Sequence, residues 1–217
     1  MQVDLIAWTE DPYSVVYFAG KVCAHKDMTF EKAKSAPLEE KEEYIRKLIA
    51  MGHESVLEHV TFTFFIRDVS RVMTHQLVRH RIASYSQLSH RREDKGISFV
   101  IPDSILEMSD DQQRVVKHYL LTSCRLYSSL IKAGVPAEDA RYFLPQALTT
   151  NIVVTMNVRS LRNFLSLRLS EDAAWEIREV ASKMFGLVHS IAPVFVEDFL
   201  EEGVPYEGHG DDCPRHA

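Results

Sequence analysis

The sequence predicts an α+β fold. Three observations carry that expectation. Charged stretches with apolar residues every three or four positions mark amphipathic helices, "LEEKEEYIRKLIAMG" above all. A run of alternating aromatic and β-branched residues, "VTFTFFIRDVS", marks a strand with its apolar side in a core. The two kinds of segment mix without the regular strand–helix–strand order of a doubly wound sheet.

In chain order, "QVDLIAW" reads as a short first strand, and "SVVYFAGKVCAH" as a helix beginning after Pro12. The helix "LEEKEEYIRKLIAMG" stops at Gly52, a common C-terminal signal. After the strand "VTFTFFIRDVS", Ser70 can cap a helix "RVMTHQLVRH". "RIASYSQLSHRRED" has no clean period and reads as loop, and "ISFVIP" as a strand closed by Pro102. "SDDQQRVVKHYLLTSCRLYSSLIKAG" is a long helix, with acidic residues at its start and Gly134 at its end. "PAEDARYFLP" is one or two helical turns between prolines, and "TTNIVVTMN" a further strand. "VRSLRNFLSLRLS" and "EDAAWEIREVASKMFGLVHSIAPVFVEDFLEE" are helical.

No repeat, linker or composition break divides the 217 residues, so a single domain over 1–217 is expected. The net charge of −6 and pI of about 5.9 argue against a nucleic-acid coat or a membrane-surface binder. Three separated cysteines, Cys23, Cys124 and Cys213, form no CxxC pair and suit a reducing cytosol. The first two are expected in the core. The N-terminus lacks the basic start and apolar run of a signal peptide, and no stretch has the ~18 apolar residues of a membrane span, so a cytoplasmic location is expected.

Against this acidic background, Gln76 to Arg92 carries four arginines, two histidines and three serines, with no acidic residue and no lysine. Arginine presents a planar fork that grips phosphate or carboxylate oxygens two at a time. Serine hydroxyls and loop amides complete such a nest. A solvated basic turn would need neither the exclusive use of arginine nor the apolar spacers Ile82, Ala83 and Leu88.

These residues resemble a known family. Arg79-His80-Arg81, followed after seven residues by Ser89, is the signature of the flavin-dependent thymidylate synthases. Other segments agree in the family's order. "GHESVLEHVTFTF" looks like its GHxSxxEH element, "QLVRH" its QxxR, "ARYFLP" its ARxxLP, and "NVRSLRNFLSLR" with "AAWEIR" its NxRxxxxFxxxR and AQWEIR region.

The resemblance implies a central, mostly antiparallel sheet flanked by helices. It also implies conversion of dUMP to dTMP, with FAD as redox cofactor, NADPH as usual reductant and methylenetetrahydrofolate as carbon donor. By the same resemblance, dUMP would meet Gln76, Leu77, Val78, Arg79, Gln87, Leu88, Ser89, His90, Arg91, Arg141 and Arg168. FAD would meet His53, Ser55, Arg79, His80, Arg81, Gln87, Asn157, Val158, Arg159 and Asn163. The family is homotetrameric with sites shared between subunits; for this chain no metal, membrane or nucleic-acid partner is expected. None of the cysteines has a catalytic setting, so no enzyme thiolate is expected to add to the pyrimidine.

Arg168 is expected to activate the pyrimidine. It shares the apolar stripe of Leu161, Phe164 and Leu165, at spacings of three, four and seven. A charge there needs an acceptor, either a carboxylate in a buried salt bridge or a uracil ring gaining negative charge. The GxGxxG of a dinucleotide fold is absent, so a flavin must be held by another arrangement.

The chain departs from the family pattern at Ser86-Gln87, where Asn-Glu is usual, and at Asp172 and Ala174 before "WEIR". The tail residues His209, Cys213 and His216 have plausible ligand spacing but form a weak metal signal. Two other readings stay open on the residues: a non-catalytic nucleotide- or RNA-binding protein stacking a base on Tyr85, and a divergent flavoenzyme.

Overall fold

The computed structural model describes residues 1–89 and 97–201. Its strands, numbered along the chain, are β1 (Gln2–Trp8), β2 (Thr61–Ser70), β3 (Ala83–Gln87) and β4 (Thr149–Asn157). They form an antiparallel sheet in the order β1-β2-β4-β3, flanked by helices, as expected. Alternation explains the two central strands: Phe62, Phe64 and Ile66 of β2 are fully buried, as are Ile152 and Val154 of β4. On the other face Thr63 and Thr155 share a hydroxyl hydrogen bond of 2.9 Å. Asp68 breaks the run of β2 with a left-handed φ of 56°, and its N–H donates to Asn151 Oδ1 at 3.1 Å.

The α-helices are α1 (Pro12–Val22), α2 (Phe30–Ser35), α3 (Leu38–Ala50), α4 (Arg71–Leu77), α5 (Asp103–Leu106), α6 (Asp110–Lys132), α7 (Ala137–Ala140), α8 (Val158–Arg168), α9 (Trp175–Ile191) and α10 (Asp198–Glu201). Short 3-10 turns cover Glu54–His59, Arg141–Phe143 and Pro193–Phe195. The end signals act as the sequence implies. Ser70 Oγ accepts from Met73 N at 3.0 Å, and Asn157 Oδ1 from Ser160 N at 2.8 Å. Gly52 and Gly134 follow α3 and α6 with φ of 71° and 85°.

Several expectations need correction. The segment read as loop contains β3, where Ala83, Tyr85 and Gln87 are half-buried and Ser84 and Ser86 exposed. The two-residue period is present, but in polar residues that a search for apolar alternation passes over. "ISFVIP" is not a strand: Phe99 makes one antiparallel bridge to Leu148 before Pro102, which lacks an N–H, leads into α5. The last helical stretch is broken where Pro193 follows Ala192. Helix α1 ends at Val22, which leaves Cys23 exposed rather than in the core, while Cys124 is half-buried.

The chain builds two compact units from interleaved segments. One comprises Met1–Gln2, Ile66–Arg79 and Ser86–Ile152; its buried residues include Met73, Leu77, Leu120, Tyr127 and Leu148. The other comprises Val3–Phe65, His80–Tyr85 and the chain from Val153 onward, with Phe62, Phe64, Phe164, Phe185 and Phe195 as its largest fully buried side chains. Truncating one of these phenylalanines to alanine costs ~3–5 kcal/mol in a close-packed core. Among the described residues no helix is long and apolar enough to cross a membrane.

Candidate functional site

In the unit built on α4 and α6, most of the predicted substrate residues lie on two segments, with Arg141 on a third. Helix α4 ends at Leu77, whose side chain is fully buried; Val78 and Arg79 follow exposed, and Gln76 is half-buried. Strand β3 ends at Gln87, after which Leu88 N donates to Asn151 O at 2.9 Å and Leu88 and Ser89 stay exposed. His90 and Arg91 lie outside the described residues, as do the tail residues His209, Cys213 and His216.

Gln87, the departure from the family's glutamate, has a structural partner. Its Nε2 donates to Thr74 Oγ1 at 2.9 Å and reaches Thr150 Oγ1 at 3.4 Å. Thr74 spends its own hydroxyl proton on Arg71 O at 3.0 Å, so toward Gln87 it offers a lone pair.

Arg141 opens the turn after α7, where its Nε donates to Glu138 O at 3.2 Å. It shares a cleft of about 470 Å³ with Arg71, His75 and Tyr142. Arg71 was not singled out from sequence; its place at the first position of α4 carries no motif signal. Burial lowers the Arg71 pKa, and the positive charge of Arg141 lowers it further.

In the other unit, α8 carries three of the predicted flavin residues and Arg168. Val158 is fully buried, and its N–H donates to Val60 O at 2.9 Å. Asn157 is engaged as the helix cap, while Arg159 and Asn163 face outward. Arg159 Nη1 donates to Glu58 Oε1 at 2.6 Å, with Glu54 Oε2 at 3.8 Å. The Glu58 hydrogen bond, then its charge, raise the Arg159 pKa. His53 and Ser55 are exposed, at the start of the turn that supplies both carboxylates.

Arg168 is half-buried and pairs with no carboxylate among the described residues. Its Nε donates to His80 Nε2 at 3.1 Å. The accepting nitrogen is unprotonated, which places the imidazole proton on Nδ1. His80 is held in turn: its ring meets Phe164 edge-on at 5.0 Å, and its carbonyl accepts from Tyr85 Oη at 2.8 Å. Tyr85 is itself half-buried, and burial pushes its pKa up to about 12. Arg81 is exposed.

The salt bridge considered for Arg168 exists six residues earlier, at Arg162. That side chain is buried, forks onto Asp198 at 2.8 and 2.6 Å, and donates to Phe195 O at 2.8 Å. At ~100° per residue, Arg159 and Arg168 leave α8 on opposite sides. The structure therefore gathers His80 with Arg168, and Arg159 with the Glu54–His59 turn, as two separate groups. The guanidinium of Arg159 is held by Glu58 and Glu54 beside the exposed His53, Ser55 and Asn163, so an anionic dinucleotide bound there would have to displace those carboxylates.

The chain is similar to known proteins over most of its length. Residues 4–194 match the family described as thymidylate synthase complementing protein. A flavin-dependent thymidylate synthase of Geobacter sulfurreducens is 41% identical over 202 residues, covering 91% of this chain and 86% of its own. That of Pyrococcus horikoshii is 46% identical over 192 residues, 85% of this chain and 77% of its own. That of Saccharolobus solfataricus is 43% identical over 196 residues, 89% and 74% respectively.

Proposed function

We infer the function from one premise: the chain belongs to the thymidylate synthase complementing protein family. It is an enzyme of dTMP synthesis that depends on flavin. The substrate is dUMP, methylenetetrahydrofolate donates the carbon, FAD is the flavin and NADPH the reductant. No cysteine adds to the ring. The enzyme works as a homotetramer in the cytoplasm.

The observation that carries this reading is the half-buried Arg168, without a carboxylate partner among the described residues and steadied by His80. An arginine so placed suits a neutral ring that becomes anionic as it reacts. Held by Nε, it keeps its two Nη groups for the oxygen where charge develops, and one preorganised donor of this kind is worth roughly 3 kcal/mol. Arg141 would take the nucleotide's phosphate, with Gln76, Arg79, Ser89 and Arg91. Arg159, Asn163, Ser55 and His53 would hold the flavin, with Arg79, His80 and Arg81. Bound flavin would supply the reducing equivalents that the side chains lack. The opposite exits of Arg159 and Arg168 from α8 favour sites completed by a second copy, because one helix then serves two sites.

The deciding experiment is tritium release from C5-labelled dUMP by the purified, yellow protein. Release that depends on both folate and NADPH is expected. Flavin absorbance without release would replace the synthase by another flavoenzyme, and a colourless, inactive protein would leave a binding module.

A further inference from the structure

We propose that Arg71 and Arg141 together form a two-guanidinium cleft for the phosphate monoester of the nucleotide, with Arg71 as a binding residue additional to those the family motifs mark. The proposal rests on the reading of Arg141 as a dUMP ligand and extends it to a residue outside every motif.

Both arginines line the cleft of about 470 Å³ with His75, Tyr142 and Gln146, and no carboxylate is among the lining residues. Both are half-buried. Among the described residues, neither guanidinium meets an acidic side chain; the side-chain bond of Arg141 runs to the carbonyl of Glu138. Among the described residues, the other arginines whose pKa departs from its ordinary value each have a carboxylate partner: Arg46 has Glu197, Arg159 has Glu58 and Arg162 has Asp198. Arg71 departs downward, because burial removes water and Arg141 adds a like charge. Two cations held together in a half-buried cleft repel each other, and the arrangement is favourable once a dianion bridges them. A phosphate monoester, carrying nearly two charges and three acceptor oxygens, matches two forks better than a single carboxylate does.

Arg71 also has a fixed approach. Its N–H donates to Leu148 O at 3.1 Å and its carbonyl accepts from Thr74 Oγ1 at 3.0 Å, so the main chain is tied on both sides of the side chain. The same Thr74 accepts from Gln87, which links Arg71 to the end of β3 where the signature serine follows.

The test is dUMP binding to the flavin-loaded full chain by titration calorimetry. Arg71→Gln and Arg141→Gln should each weaken binding at least tenfold, while the exposed control Arg125→Gln stays within twofold. If Arg141→Gln weakens binding and Arg71→Gln does not, the proposal falls and the reading of Arg141 stands. If neither weakens it although the parent binds dUMP, both fall. Melting with inorganic phosphate gives a second readout that does not depend on the substrate assignment. Phosphate should raise the melting temperature of the parent above the effect of chloride at equal ionic strength, and Arg71→Gln should abolish that difference. An equal rise in both proteins overturns the proposal. In phosphate-free buffer Arg71→Gln should melt no lower than the parent, because a repulsion is removed; a clear drop would mark Arg71 as a structural residue instead.

Discussion

Arg168 reaches back 88 positions to His80, and the 3.1 Å bond between Nε and Nε2 is the contact that orients it. The histidine accepts, so it fixes the guanidinium without neutralising it. Arg168→Ala should therefore lower turnover by about 100-fold or more, the scale of one lost preorganised donor. The melting temperature should move little, because the side chain is half-buried at the end of its helix. Turnover near the parent's in the tritium-release assay would remove Arg168 from the reaction. His80→Phe keeps the ring against Phe164 and loses the acceptor, so it should lower kcat by less than Arg168→Ala does.

Arg162 and Asp198 hold the chain's last described turn onto α8. Arg162 is 9% exposed, and without Asp198 it keeps Glu54 at the longer distance of 3.6 Å, so its charge is left poorly compensated. Asp198→Ala should destabilise the protein by about 2 kcal/mol. That is below the ~3–5 kcal/mol of a fully buried pair, because water still screens a partly open carboxylate. Replacing both, as Arg162→Met with Asp198→Leu, should recover most of the loss in a denaturant melt. A double variant no more stable than the single would show that the charge is not the cause.

Much of this was legible in the residues, and the limits are physical. The three strands with apolar alternation and the capped helices followed from local pattern, because their signals lie within a few residues. Strand β3 did not, since its alternation is carried by serine against tyrosine and glutamine. The motifs named Arg168 and His80, but helical phase alone places Arg168 nearer the apolar stripe than Arg162. Arg162 is nonetheless the deeper, because Phe195, Asp198 and Phe199 cover it from more than thirty positions away. Phase reports direction and not depth. The cleft at Arg71 was invisible for the same reason: its partner charge is Arg141, seventy positions on.

Tyrosine ionisation should show the buried phenols directly. Tyr13, Tyr17 and Tyr85 each have a pKa raised from 10 to about 12, first by burial and, at Tyr17, also by a hydrogen bond to Glu40. The folded state binds these protons more tightly than the unfolded chain does. The corresponding stability is fully present below pH 10 and is lost as the pH rises through 12. An absorbance titration of the eight tyrosines should thus leave at least three protonated at pH 11, and unfolding should become easier between pH 10 and 12. Uniform ionisation near pH 10 with the fold intact would contradict the burial of these rings.

Gln87 stands where the family usually carries glutamate, and its amide donates to Thr74. Glutamate cannot donate, and the Thr74 proton is already committed to Arg71 O. Gln87→Glu should therefore leave Thr74 and the new carboxylate facing each other as two acceptors, and lower stability by roughly 1–2 kcal/mol. Restoring the family residue here is expected to harm this chain unless Thr74 changes with it; a stability gain from Gln87→Glu alone, measured by denaturant melting, would refute the hydrogen-bond pattern.

The cysteines offer the sharpest separation from thiolate chemistry. Cys23 is exposed just past the end of α1, where its Sγ donates to Ala19 O at 3.4 Å. Cys124 is half-buried in α6, and burial raises its thiol pKa, opposite to what a nucleophile needs. A catalytic thiolate requires a lowered pKa or an adjacent base, and the raised pKa of Cys124 runs the other way. Replacing Cys23, Cys124 and Cys213 together by serine should leave kcat within about twofold of the parent, since the hydroxyl occupies nearly the same space but would not replace a thiolate attacking uracil. Loss of turnover in the triple variant, with flavin still bound and the melting temperature unchanged, would bring a covalent enzyme–pyrimidine bond back into the reaction.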